Sequence, residues 1–182
     1  MAQSIITPYG IIAFPSLFEA RVMPNTQQDP RFSLTLIFDE AAQKKPEFKA
    51  LQDECIAAAN ERFPGLKGKF QSLRFPIRKA EEKAEQYAGF EPGSVFISPW
   101  TKERPGLVDK NRNEILTKAE VWAGQLARAR VRPFAYDTSG NKGVGLMLEH
   151  VQIVKSDMPR IDGRKKASEV FSDVTEFEDE EV

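Results

Sequence analysis

Two runs near the end of this 182-residue chain, residues 121–136 and 143–155, read as long β-strands, and the Asp137-Thr-Ser-Gly-Asn-Lys142 segment between them is rich in turn formers. Such a pair predicts an antiparallel hairpin. An earlier segment, Arg31-Phe-Ser-Leu-Thr-Leu-Ile-Phe-Asp39, alternates with period two, placing Phe32, Leu34 and Leu36 on one face and Ser33 and Thr35 on the other. It is expected to be a half-buried strand. Residues 5–22 carry β-branched and aromatic side chains interrupted by Pro8-Tyr9-Gly10 and by Pro15, which predicts strand, turn and bent strand, paired with the 31–39 run. Only one strongly helical segment appears. Pro46 opens it, Phe48, Leu51, Cys55, Ala59 and Phe63 recur at helical spacing, and Pro64-Gly65 stops it.

Residues 65–113 are irregular, with Pro76, Pro92, Pro99 and Pro105, a short charged stretch at 79–86 and one strand-like run at 94–98. Long excursions of this kind are usually functional. Several strands, one helix and no βαβ alternation favour a small antiparallel barrel over a parallel sheet. A chain of this length can bury a core without metal or disulfide help. Cys55 is the only cysteine, so no intrachain disulfide is available and a reducing, cytoplasmic setting is expected. The opening residues lack a signal-peptide pattern, and no apolar run approaches the roughly 20 residues that span a bilayer. No membrane association is expected.

Charge divides the chain unevenly. Of its 27 acidic residues, seven lie in residues 169–182 (Glu169, Asp173, Glu176, Glu178, Asp179, Glu180 and Glu181) with no basic residue among them, so the preceding body holds 26 basic against 20 acidic groups. A formal net charge of −1 therefore combines a +6 body with a −7 tail. A basic body attracts polyanions, and a like-charged tail resists burial and competes for the same surface. Residues 1–160 are accordingly read as one folded domain and residues 161–182, starting with the basic Arg164-Lys165-Lys166, as hinge and tail. A purely solubilising tail is the plainer alternative.

The chemically informative strand is Ala127-Arg-Ala-Arg-Val-Arg132. Side chains alternate along a strand, so Arg128, Arg130 and Arg132 share one face at a repeat of about 7 Å, near the spacing of phosphates in an extended single strand. Phe134 and Tyr136 keep the same parity if Pro133 introduces no bulge. Cations followed by rings make a single-strand track, in which charge holds the backbone and rings stack on bases. Acids across the sheet would instead make the row an ordinary solvated face. A second basic and aromatic region, with no acid between Glu61 and Glu81, offers Lys69, Phe70 and Arg74, while Phe63 and Phe75 read as core. Trp100, near Lys102 and Arg104, and Trp122, leading into the arginine strand, are further stacking candidates.

The order of these pieces resembles a family of phage single-stranded DNA-binding proteins with an OB-fold. The resemblance is carried by Phe14-Pro-Ser-Leu-Phe-Glu19, the strand at 32–38, Pro105-Gly-Leu-Val-Asp109, Trp122-Ala-Gly124 before the arginine strand, Gly143-Val-Gly-Leu146 and Val151-Gln-Ile-Val154, and it spans residues 5–156. It implies a mainly β, OB-type, five-stranded antiparallel Greek-key barrel, here with one helix inserted after the early strands. It also implies binding of single-stranded DNA in phage replication or recombination within an infected bacterial host, often with an acidic tail, and no catalytic residues or cofactors. The chain ends Glu180-Glu181-Val182 rather than in an aromatic residue, so Phe171 and Phe177 are the candidate anchors for replication or recombination proteins. Weaker duplex binding and self-association are compatible with this reading.

Two other classes compete. A metal-dependent nuclease or nucleotide hydrolase would need a site, yet His150 is the only histidine and neither a P-loop nor a paired-glycine fingerprint is present. Asp109, Asp137 and Glu149 lie near strand ends without forming a compact acidic motif. A structural module with a basic protein-binding face is the third reading.

Overall fold

The computed structural model describes residues 2–22, 24–84, 87–138, 140–162 and 167–174. In chain order the strands are β1 (Ile5–Ile6), β2 (Gly10–Arg21), β3 (Arg31–Phe38), β4 (Arg78–Lys79), β5 (Val95–Ile97), β6 (Trp100–Thr101), β7 (Gly106–Asp109), β8 (Leu126–Thr138) and β9 (Asn141–Lys155). The helices are α1 (Glu40–Gln43), α2 (Pro46–Arg62) and α3 (Ala167–Val170).

Five strands close a ring: β2 pairs with β3, β3 with β6, β6 with β9, β9 with β8, and β8 with β2 again. This order is that of an OB-fold barrel. Four of the seams are antiparallel, whereas β6 runs parallel to β9, and β7 continues beyond β6 along the same edge of β9, also in parallel, with β8 on the opposite edge. β5 and β6 both pair with β3 and act as one strand interrupted by Ser98 and Pro99. The helix sits between β3 and β5, after the early strands as expected.

Helix α2 forms where Pro46, which needs no amide partner, occupies the first turn. Its buried face of Phe48, Leu51, Cys55 and Ala59 joins Leu34, Leu36, Phe38, Ala127, Ala129, Val131, Leu146 and Leu148 in one core. Burying a side chain such as Leu51 contributes about 1.5 to 3 kcal/mol.

The structure departs from the sequence reading in three places. β3 is covered on both faces rather than half-buried: Leu34, Leu36 and Phe38 enter the main core, while Ile37 joins Ala13, Ala80, Phe90 and Phe96 in a second cluster. The cause is the irregular middle, whose Ala80 and Phe90 pack on the outer side of β2 and β3, and Thr35 is buried on that side against Ser98 at 3.0 Å. β8 begins at Leu126 rather than at residue 121, because Lys118–Glu120 form a 3₁₀ turn with a capping box and Gly124 adopts φ +114°. A Cβ at 124 would lie 2.2 Å from the carbonyl oxygen of Pro159, so glycine is needed for this close approach. The fully buried Gln125 fastens the corner by accepting from the Trp122 amide and donating to the Glu120 carbonyl and to Ser156 Oγ. Finally, the hairpin connection is tighter than predicted, since pairing runs on to Thr138 opposite Asn141, with Gly140 at φ +83°.

After β9 the chain returns to the body, where the Ile161 amide donates to the Ala123 carbonyl at 3.1 Å and the Ile161 side chain packs on the second cluster.

Candidate nucleic-acid interface

Along β8 the odd residues Ala127, Ala129, Val131 and Pro133 point into the barrel, and the even residues face outward. The register with β9 is continuous from Arg132 opposite Met147 to Thr138 opposite Asn141, so Pro133 leaves the parity intact. Arg128, Arg130, Arg132, Phe134 and Tyr136 therefore line one outer strip. Two glycines of β9 make room for its aromatic end. Phe134 stands opposite Gly145 and Tyr136 opposite Gly143, and a Cβ at either glycine would collide with the facing ring, at 2.6 Å from Phe134 Cζ and 2.8 Å from Tyr136 Oη.

The two rings open onto a groove of about 1010 Å³, shared with Trp100, Arg31, Arg74, Arg78 and Lys79. Trp100 meets Phe134 edge-on at 5.7 Å between ring centroids, and Phe134 meets Tyr136 at 6.3 Å. The Arg31 guanidinium lies 3.6 Å above the Trp100 ring, a cation–π contact. Partial burial lowers the Arg31 pKa, Asp29 opposes that shift, and the buried Nε finds no hydrogen-bond partner among the described residues. Three neighbouring rings edged by cations can stack bases and hold phosphates together. Glu82 enters the rim but is paired with Arg78 at 2.6 Å.

Of the residues singled out in the sequence, Trp100, Phe134, Tyr136 and Arg74 are thus brought together. Arg31 was missed: period two puts it on the face of Ser33, but that Ser33 pairs with Trp100 is seen only in the structure. Arg128 is held away from the groove by a 2.9 Å hydrogen bond to Gln152 and lies over Tyr9 at 5.2 Å. Arg130 and Arg132 both face Glu149 of β9, an acid across the sheet that the strand pattern alone did not show. Phe70 packs on Phe75 at 5.5 Å and against the core, and Lys69 is exposed just before it. Trp122 lies in a different pocket, of about 540 Å³, formed by the bent part of β2 with Arg160 at 5.4 Å from its ring. In the tail, Phe171 and Asp173 are exposed, while Glu176, Phe177, Glu178, Asp179, Glu180, Glu181 and the Arg164-Lys165-Lys166 hinge lie outside the described residues.

Among the described residues no catalytic centre is assembled. Burial pushes the Cys55 thiol up to about 12, with Glu54 adding to the shift, which makes it a poor nucleophile. Asp109 is held below the ordinary carboxyl range mainly by the amide of Asn113, a turn-forming contact. Among the described residues no group of three or more His, Cys, Asp and Glu is placed to hold a metal ion, and no helix is long and apolar enough to cross a membrane.

Comparison with known proteins agrees with the OB-type fold. The sequence model of the single-stranded DNA-binding protein family of Enterobacter phage Enc34 matches residues 3–182. The solved structure of the Enc34 protein in complex with single-stranded DNA superposes with a TM-score of 0.73 at 18% identity, covering 86% of this chain and 88% of that one. A further solved structure of the single-stranded DNA-binding protein from bacteriophage Enc34 gives 0.71 at 18% identity over 93% and 90%. The single-stranded DNA-binding protein gp2.5 encoded by bacteriophage T7 gives 0.62 at 11% identity over 96% and 97%. No curated protein matches the chain in sequence.

Proposed function

The chain belongs to the family of phage single-stranded DNA-binding proteins typified by that of Enterobacter phage Enc34, a non-enzymatic class, and on that premise we propose that the Trp100–Phe134–Tyr136 groove is its DNA track. The observation that carries this reading is the clustering of three rings from β6 and β8 with Arg31, Arg74, Arg78 and Lys79 around one groove. Bases stack on the rings while the cations take phosphates, a mode that tolerates any sequence because every base has a π-face. The arginine strip extends the track beyond Phe134 along β8. The segment read from the sequence as hinge and acidic tail, residues 161–182, begins with Ile161 packed on the body; beyond it the tail competes with DNA for the basic surface or recruits replication or recombination proteins through Phe171 and Phe177. The setting is phage DNA metabolism in the cytoplasm of an infected bacterium.

A fluorescence titration tests the groove. Trp122 lies elsewhere, so a Trp122→Phe variant leaves Trp100 as the only tryptophan reporter. Oligothymidine should quench it strongly, and duplex of the same length should do so weakly. Unquenched emission in a complex that still shifts on a gel would move the DNA path off this groove.

A further inference from the structure

The outer strip of β8 carries an anion of its own. Arg130 of β8 stands opposite His150 and Val131 opposite Leu148, so Glu149 is the extra residue of a bulge in β9. Bulges re-aim a side chain, and this one turns a carboxylate onto two arginines: Oε2 lies 3.9 Å from Arg130 Nε, and Oε1 lies 3.7 Å from Arg132 Nε. The Ser4 hydroxyl donates to the same Oε1, and Arg132 Nε donates to the Ser4 oxygen at 3.2 Å. One anion shared by two guanidinium groups and a hydroxyl is the coordination a phosphodiester seeks.

We propose that Arg130, Arg132 and Ser4 form a phosphate subsite for single-stranded DNA, and that Glu149 occupies it as a stand-in anion while the protein is free of DNA. The proposal rests on the groove reading above, because it extends the same strand of DNA along β8. The position fits: Arg132 is two residues from Phe134 on the same face, a rise of about 7 Å, which is one nucleotide step. The strength fits as well. The Arg130 and Arg132 side chains are 53% and 45% exposed and their ion pairs are long, so the carboxylate is weakly held and yields to a phosphate already tethered through the groove. Glu149 thereby keeps the row from gripping stray anions while leaving it available to a strand that has engaged the aromatic end.

The test is Glu149→Gln, which keeps the shape and removes the charge, combined with the Arg130→Ala/Arg132→Ala pair. All variants are titrated with fluorescent oligothymidine at low salt by anisotropy, and groove occupancy is read separately from Trp100 quenching in the Trp122→Phe background. Glu149→Gln should tighten binding about two- to fivefold, by clearly more than it does in the Arg130→Ala/Arg132→Ala background, with Trp100 quenching unchanged. No gain, or an equal or larger gain without the arginines, would overturn the subsite, since the carboxylate would then act only through its general repulsion of DNA. If Glu149→Gln perturbs folding, Glu149→Ala is titrated in the same cycle with the same criteria. Loss of Trp100 quenching in every protein, with the anisotropy gain retained, would instead reject the groove and leave the subsite standing.

Discussion

At position 145 a single methyl group would sit 2.6 Å from the Phe134 ring, closer than real contacts allow. Glycine here is set by the ring opposite, not by backbone conformation, because it is the free space over β9 that lets Phe134 lie beside Trp100. Gly145→Ala should therefore move the ring while leaving the barrel folded. Oligothymidine affinity should fall severalfold, but less than the roughly 1 to 3 kcal/mol expected for Phe134→Ala, with the melting temperature little changed. Unchanged affinity by anisotropy would mean that Phe134 does not contact DNA. Residues of this kind were half legible in the sequence. Period-two alternation correctly put Phe134, Tyr136 and the three arginines on one face, since that follows from strand geometry alone. Whether each faces an acid or a base depends on the neighbouring strand, so the pairing of Arg130 and Arg132 with Glu149 and the contact of Arg31 with Trp100 could not be read from β8 or β3 separately.

Among the elements, α2 and the β8–β9 hairpin were readable because their periodicity persists over many residues, and Pro46 and Gly140 mark their ends. β6 and β7 were not. They are two and four residues long, and both pair in parallel with β9, a choice made by tertiary closure rather than by local pattern. What holds the end of β7 is a local device: Asp109 Oδ1 accepts from the amides of Asn111 at 2.8 Å and Asn113 at 2.9 Å. These bonds favour the ionised carboxyl, so its folded pKa lies below 3.8 and its stabilising contribution is complete above that value. The contribution is lost as pH falls through the folded pKa. The Asn113 amide resonance should therefore titrate with a midpoint below 3.8, and Asp109→Asn should abolish that titration. A midpoint at or above the ordinary aspartate value would show that the turn does not depend on the charge.

For the molecule as a whole, the division into a +6 body and a −7 tail was visible in the sequence, since charge counts need no structure. The place where the body gathers these rings and cations was not, because the groove joins Trp100 and Arg74 from the irregular middle to rings at the far end of β8. Removing residues 169–182 should raise affinity for oligothymidine, more at low salt than at moderate salt, because screening weakens attraction between tail and body. The melting temperature should hold, as residues 171–174 are exposed. Equal affinities of the full and shortened chains across that salt range would leave the tail no competitive role. The ring of strands also bears on when the protein can act during its own synthesis. Closure requires β2 to meet β8 and β6 to meet β9, contacts between distant parts of the chain that fold slowly and late. Because β9 supplies Gly143 and Gly145 beneath the rings, a growing chain still on the ribosome has strands without a groove until that last strand emerges. On the proposed groove, engagement of DNA is thus confined to chains translated through β9, and half-made copies stay off the template.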